Sequence, residues 1–347
     1  MTTPTTRHLA MSLALALPAL MTTPAHALNI LLCNDDGIAA ANVRALKQAL
    51  VQAGHSVVLT APIDNQSGRG GYVAFLAPVG PLTGQERGAK ALGLPAGTRG
   101  VGVDLSDVDV HYVNGTPVAA CLYGIDVQAP LKWGRAPDLV ISGPNEGNNT
   151  GHINASSGTF NNLVYAINRG LPALAVSDAV TAQVNWSPAL PATHRAHEVA
   201  GIVLRALEEI FDAKAPRVRA ESPRQGPLMP RGIGLNLNIP PFPAGTATTL
   251  GFEQTRIGVA TAYAPAFYQR LSDSPLAVAF GVNFPLPGVS LAAGGAVLPS
   301  GTVIPRDDAP QSEANAVARG VVTVSPVRGV PEASAVDEAW VRARLRR

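Results

Sequence analysis

Residues 29–62 read as an apolar run, a helical pattern and a second apolar run, and this order constrains the fold more than any other feature. "NILLC" is followed by "ANVRALKQALVQAG", in which Val43, Leu46, Leu50 and Val51 fall on one helical face and Gly54 supplies the stop. "HSVVLTAP" then forms a β-branched run. The alternation continues through "PDLVISGPN" (137–145), a helical "NNLVYAINRG" (161–170), "LPALAVSDA" (171–179), an amphipathic helix over 194–213 and the strand-like "GIGLNLNIP" (232–240). Successive strands joined by helices pair in parallel, so the expected class is α/β with a mostly parallel sheet. With 347 residues, 46% of them hydrophobic and 14% charged, the chain has material for a large core.

Two stretches break the alternation. Residues 77–110 are rich in Gly and Pro without periodicity and read as a long surface excursion. Beyond about residue 232 helices fade, and short β-like runs up to "VVTVSPV" suggest a C-terminal β-rich arm, closed by a helix in "SAVDEAWVRARLRR". At the other end, Arg7, the apolar run Leu9 to Met21 and Ala25-His26-Ala27 have the layout of a secretory signal peptide cleaved after Ala27. That run is too short and too proline-interrupted to span a bilayer, and an uncleaved anchor is the alternative. The expected organisation is therefore a signal peptide at 1–27, an α/β catalytic domain at 28–240 and an arm at 241–347. The mature chain is expected in the periplasm or outside the cell, without a membrane segment. Cys33 and Cys121 are the only cysteines; both sit in apolar surroundings and read first as small buried hydrophobes, a disulfide being the alternative. The net charge of +2, the lack of a basic block and the 5% aromatic content argue against nucleic acid or an anionic membrane as partner.

Ligands of a parallel α/β sheet collect at the carboxyl ends of its strands. Four polar turns fall at such places: Asn34-Asp35-Asp36-Gly37, "APIDNQSGRGG" (61–71), Gly115-Thr116-Pro117 and "SGPNEGNNTG" (142–151). Adjacent carboxylates repel one another, and a hard divalent cation would cancel that repulsion. Carboxylate, serine and asparagine oxygens suit Mg²⁺ or Mn²⁺, which keep waters that a phosphate can displace. The competing reading has one aspartate capping the next helix and the other solvated. In "ASSGTFNNLVYAI" (155–167) hydroxyls and a glycine precede a helix, an arrangement that meets an anion or simply caps the helix through Ser157 or Thr159. His152 is a candidate proton donor or a solvated loop residue, and Arg69 a phosphate contact or a solvated cation. "HRAHE" (194–198) lacks the spacing of a zinc-binding helix and reads as a polar helix face.

Taken in order, "ILLCNDDG", "NQSGRGG", "VNGTPVAACLYG", "DLVISGPNEGNN", "SSGTF", "GLPALAVS" and "LNLNIP" resemble the landmarks of the SurE family, with a fainter echo in "SEANAVARGVVTVSPV". The resemblance implies a Rossmann-like three-layer domain and a metal-dependent phosphomonoesterase acting on nucleoside 5′- and 3′-monophosphates. It also implies one divalent ion, Mg²⁺ or Mn²⁺, per subunit. The implied metal ligands are Asp35, Asp36, Ser67 and Asn145. Asp35, Asp36 and Asn145 are also the implied catalytic residues, and Ser157, Gly158, Thr159, Gly115 and Thr116 the implied phosphate-side residues. Assembly into a homodimer or homotetramer through the arm is implied as well. The chain departs from the family pattern at Val118-Ala119-Ala120-Cys121, where an aspartate is usual, and at Ser312-Glu313, where a Thr-Asp pair is usual. A non-catalytic periplasmic binding protein for nucleotides or phosphate is the competing function.

Overall fold

The computed structural model describes residues 27–211, 228–259, 263–306, 308–330 and 335–345. The predicted signal peptide lies, except for Ala27, outside the described residues. The first half of the chain forms β1 (Asn29–Cys33), α1 (Ala41–Gln52), β2 (Ser56–Pro62), α2 (Arg87–Leu92), β3 (Val101–Asp104) and β4 (Asp107–Val113). α3 (Pro117–Tyr123) then runs through one π-helical turn (Gly124–Gln128) into α4 (Ala129–Trp133). β5 (Leu139–Glu146), α5 (Gly158–Asn168), β6 (Ala173–Asp178), α6 (Arg195–Phe211) and β7 (Ile233–Ile239) follow. The C-terminal part contributes β8 (Phe252–Gln254), β9 (Tyr263–Tyr268), α7 (Pro275–Ala279), β10 (Gly288–Ala293), α8 (Glu313–Ala318), β11 (Val322–Arg328) and α9 (Ala335–Leu345).

Nine strands form one sheet in the order β3-β4-β2-β1-β5-β6-β7-β11-β8. From β4 to β7 every neighbouring pair is parallel, as the helix-linked runs require. Side chains alternate across β1: Ile30 and Leu32 pack towards α1 and α6, among Val43, Leu46 and Val203. Leu31 and Cys33 pack on the other face, among Cys121, Ile125, Leu163 and Ile167 of α3, its π turn and α5. Both faces are covered, which is why the parallel strands are apolar throughout rather than alternating. The chain leaves β1 for β2 on one side, and β5 takes the place on the other. Strand order therefore reverses at β1, and the crevice beyond β1 and β5 is where an open α/β sheet receives a ligand.

The structure corrects three sequence expectations. The 77–110 excursion is not featureless: it contains α2 and the β3–β4 hairpin, and β4 joins the sheet beside β2. In "DVDVHYV" buried Val110 and Tyr112 alternate with half-buried Asp109 and His111 before Val113 ends the strand, also buried, but the glycines and prolines around it mask the pattern. The boundary at residue 240 divides the sequence but not the sheet. β11 inserts antiparallel to β7 and parallel to β8, and among the described strands β9 and β10 pair outside that sheet, as a hairpin arm that carries α7 between them. Finally, Cys33 and Cys121 are bonded to each other as a disulfide, with a Cα–Cα distance of 5.4 Å, rather than packing as free thiols.

Candidate active site

The Asn34–Gly37 turn at the end of β1 is clasped from two sides. The Asn34 side-chain amide donates to the Gly37 carbonyl (3.0 Å), and the Gln66 backbone N–H donates to the Asp35 carbonyl (2.8 Å). Gly37 has φ +99°, and a Cβ there would come within 3.1 Å of the Asp64 backbone, so this position requires glycine. The turn carrying Ser67 is thereby laid against the turn carrying the aspartates, with Ser67 itself exposed.

β5 supplies the opposite wall. Its register beside β6 slips between Ser142 and Asn145, where Gly143 (φ +105°) lies so close to the Val176 carbonyl that no side chain fits. Past this slip the Glu146 backbone N–H donates to Asp36 Oδ2 (3.0 Å). The Asn145 amide nitrogen donates to the Gly147 carbonyl (2.6 Å), while its Oδ1 is buried and accepts no hydrogen bond. A buried amide oxygen without a donor is costly and marks a place for a cation or a ligand donor.

The third wall is the start of α5. Ser157 Oγ caps the helix by accepting the Phe160 N–H (3.0 Å), and Thr159 Oγ1 donates to Asp35 Oδ1 (2.6 Å). A Cβ on Gly158 would lie 2.7 Å from Asp35 Cβ and 2.6 Å from Pro117 Cγ, so the three segments touch where that side chain is missing. Gly115 leads into Thr116, whose Oγ1 caps α3 by accepting the Ala119 N–H (3.3 Å), and Pro117 takes the first helical position. Of the predicted phosphate-side residues, Gly158 and Thr159 therefore meet Asp35 directly, and the hydroxyls of Ser157, Thr159 and Thr116 are all accounted for by helix caps or by Asp35.

Electrostatics single out the two carboxyl groups. Asp35 and Asp36 are 2% and 1% exposed. Burial pushes both above the usual carboxylate range, Asp36 furthest, because the negative charges of Asp35 and Glu146 add to its burial. Hydrogen bonds from Thr159 and from the N–H groups of Gly158 and Thr159 oppose the shift at Asp35. The cation whose charge opposes the shift at Asp36 is Arg87. Its Nη1 reaches the Asp36 carbonyl (3.5 Å) and lies 3.6 Å from Glu146 Oε2, and its Nη2 is buried without a partner. Two buried like charges, an orphaned amide oxygen and a neighbouring serine turn make a donor set of hard oxygens that fits one divalent cation. Among the described residues no three His, Cys, Asp or Glu side chains cluster as metal ligands, so a cation here would also need amide and hydroxyl oxygens.

Behind the site lies a buried amide network that sequence reading missed. Asn149 donates through its N–H to Asn238 Oδ1 (2.8 Å) and through its side chain to Ser177 Oγ (2.9 Å). Its carbonyl accepts from the side chains of Asn236 (3.1 Å) and Asn238 (2.9 Å). Asn236 also donates to Glu313 Oε1 (2.7 Å), and burial pushes the fully enclosed Glu313 carboxyl up to about 8. The alternation in "LNLNIP" was the available clue, because its polar face points into the molecule rather than to solvent. Glu146 and Arg87 were also missed. His152 and Arg69 are exposed, while Arg195 of "HRAHE" pairs with Asp178 and His197 packs edge-on against Trp186.

Comparison with known proteins gives a consistent picture. A family model described as "Survival protein SurE" matches residues 30–263. The acid phosphatase of Yarrowia lipolytica is 33% identical over 215 residues, 61% of this chain and 56% of that protein, so the match spans little more than half of its length. The 5′-nucleotidase SurE of Gloeobacter violaceus is 28% identical over 301 residues, 87% of this chain and 90% of that protein. The crystal structure of the SurE protein from Aquifex aeolicus superposes with a TM-score of 0.59 at 23% identity, covering 91% of this chain and 99% of that one, a likeness of fold.

Proposed function

The chain belongs to the SurE family, and on that footing we propose that it is a metal-dependent phosphomonoesterase releasing phosphate from nucleoside 5′- and 3′-monophosphates and related esters. The observation that carries this reading is the buried Asp35–Asp36 pair beside the partnerless Asn145 Oδ1. Paired buried anions suit a cation site and would repel a phosphate on their own. Asp35, Asp36, Asn145 and Ser67 are the residues to hold one Mg²⁺ or Mn²⁺ ion, which supplies Lewis-acid stabilisation of charge on the phosphate oxygens.

The chain's own residues do the rest. Thr159 and the α5 N-terminus fix the Asp35 carboxylate, and the Glu146 N–H fixes Asp36, so neither needs to reorganise as the ester arrives. Gly158 lets the start of α5 close on Asp35 and Pro117, which brings the helix N-terminus to the aspartate turn, where a phosphate would meet it. One aspartate orients a water for in-line attack; trapping of a phosphoaspartate would replace that water with the carboxylate itself.

Export to the periplasm or medium is part of the proposal. The N-terminal pattern supports it, and so does the Cys33–Cys121 disulfide, which suits an oxidising compartment. Self-association is proposed through the β9–β10 arm, whose outward residues Phe267 and Val289 are exposed.

The test is phosphate release from 5′-AMP, 3′-AMP and p-nitrophenyl phosphate with Mn²⁺, Mg²⁺ or EDTA. Turnover with metal that EDTA abolishes is expected. Turnover indifferent to EDTA removes the metal from the reading, and tight nucleotide binding without turnover favours the binding protein.

A further inference from the structure

The contact between β1 and α3 has the form of a ladder. Leu31 and Cys33 alternate along β1 towards α3, and Asp35, in the turn beyond, meets the same side through Gly158. Gly124, Cys121 and Pro117 follow one another at three- and four-residue steps along one face of the helix. A Cβ on Gly124 would lie 2.6 Å from Leu31 Cδ1, which is the first rung. Cys121 is bonded to Cys33, the second rung. Pro117 and Asp35 both close on the vacant side-chain position of Gly158, the third. The middle rung is covalent and lies two residues from Asp35 along the strand side and four from Pro117 along the helix.

We propose that the Cys33–Cys121 disulfide is a positioning element of the site, holding the start of α3 against the aspartate turn so that Asp35 keeps the place Thr159 and Gly158 define for it. The inference rests on the reading of Asp35 and Asp36 as metal ligands. Both sulfurs are buried, 0% and 1% exposed, within the apolar layer under α3 and α5. Without the bond, a helix interrupted by a π turn meets the strand through apolar contact alone. A shift of α3 along β1 then moves Pro117 relative to Gly158 and Asp35. The bond therefore acts on the metal site through the third rung, over and above any contribution to overall stability.

The experiment compares Mn²⁺ binding by calorimetric titration at 20 °C for the wild type, Cys33→Val/Cys121→Ala and Leu50→Ala. The valine returns volume lost with the sulfurs, and Leu50 is a buried residue of the opposite layer whose truncation lowers stability without touching the ladder. Expected is a loss of Mn²⁺ affinity of about tenfold or more in the cysteine variant, at an unchanged circular dichroism spectrum, with Leu50→Ala binding as the wild type. Equal affinity in all three, or equal loss in both variants, overturns the inference. Should the cysteine variant not fold, native protein is reduced with dithiothreitol, which delivers two electrons and leaves two thiols countable by iodoacetamide, and is titrated in the same way. Unfolding there too would overturn the inference, because the bond would then serve the whole fold rather than the site. A wild type that binds no Mn²⁺ contradicts instead the reading of the aspartates as ligands.

Discussion

Asp178 and the Asp35–Asp36 pair occupy similar places, at or just past the carboxyl ends of β6 and β1, and both are buried. Their surroundings differ. Asp178 receives two hydrogen bonds from the Arg195 guanidinium, at 2.8 and 2.5 Å, and Arg195 is itself stacked on Phe242. Its charge is answered within the chain. The two site aspartates have one hydroxyl and backbone N–H groups, with Arg87 reaching only as far as a carbonyl. A carboxylate balanced by a fixed guanidinium braces a fold, whereas a pair left short of positive charge has the character expected of the proposed cation site.

Substitution sharpens the contrast most strongly. Asp36→Asn is expected to cut kcat on the order of 10³-fold while leaving the metal-free melting temperature equal or higher, because one of two repelling charges goes. Asp178→Asn should do the reverse, costing about 3 kcal/mol in denaturant unfolding by stranding Arg195, with a much smaller loss of turnover. If Asp36→Asn destabilises the metal-free protein as Asp178→Asn does, the two sites are not different in kind. Chelation comes next. EDTA should remove activity reversibly, and Mn²⁺ at about 100 times its Kd should stabilise the wild type by about 2.7 kcal/mol in a thermal melt but leave Asp36→Asn unmoved. Thr159→Val, which removes the hydroxyl held by Asp35, is expected to weaken metal binding about 10- to 100-fold in the same titration.

How much of this was legible in the sequence depends on how far apart the cooperating residues lie. Asp35, Asp36 and Asn145 stand where apolar runs end and Ser157 where a helix begins, so strand-end and helix-start logic picked out their segments, while the roles assigned to them came from the family resemblance. The disulfide was not legible, because Cys33 and Cys121 sit in apolar segments where a small hydrophobe is equally at home. Arg87 comes from the excursion and meets Glu146 only after β2 and β5 have taken places on either side of β1. The insertion of β11 between β7 and β8 was hidden because its short alternating run looks the same whether it pairs in an arm or in the main sheet. Glu313 was visible only as a departure from the family pattern; its burial against Asn236 is a tertiary event.

Glu313 gives the smallest effect and a third kind of buried carboxylate, one answered by amides and a proton. Its folded value of about 8 exceeds the unfolded value of 4.5, so the native state holds a proton that the unfolded chain releases. Stability from this group is full below the unfolded value and is lost as the pH rises towards 8. The metal-free melting temperature should fall between pH 5 and pH 8, and Glu313→Gln should flatten that slope; an unchanged slope would mean that the carboxyl titrates normally.

The central claim, that the aspartate turn beyond β1 holds a cation, is tested most directly by diffraction. A crystal soaked in MnCl₂ and measured at the manganese absorption edge should give an anomalous peak bounded by the Asp35 and Asp36 carboxylates and Asn145 Oδ1. A peak elsewhere, or none while Asp35 and Asp36 remain turned towards Thr159 and the Glu146 N–H alone, would contradict it.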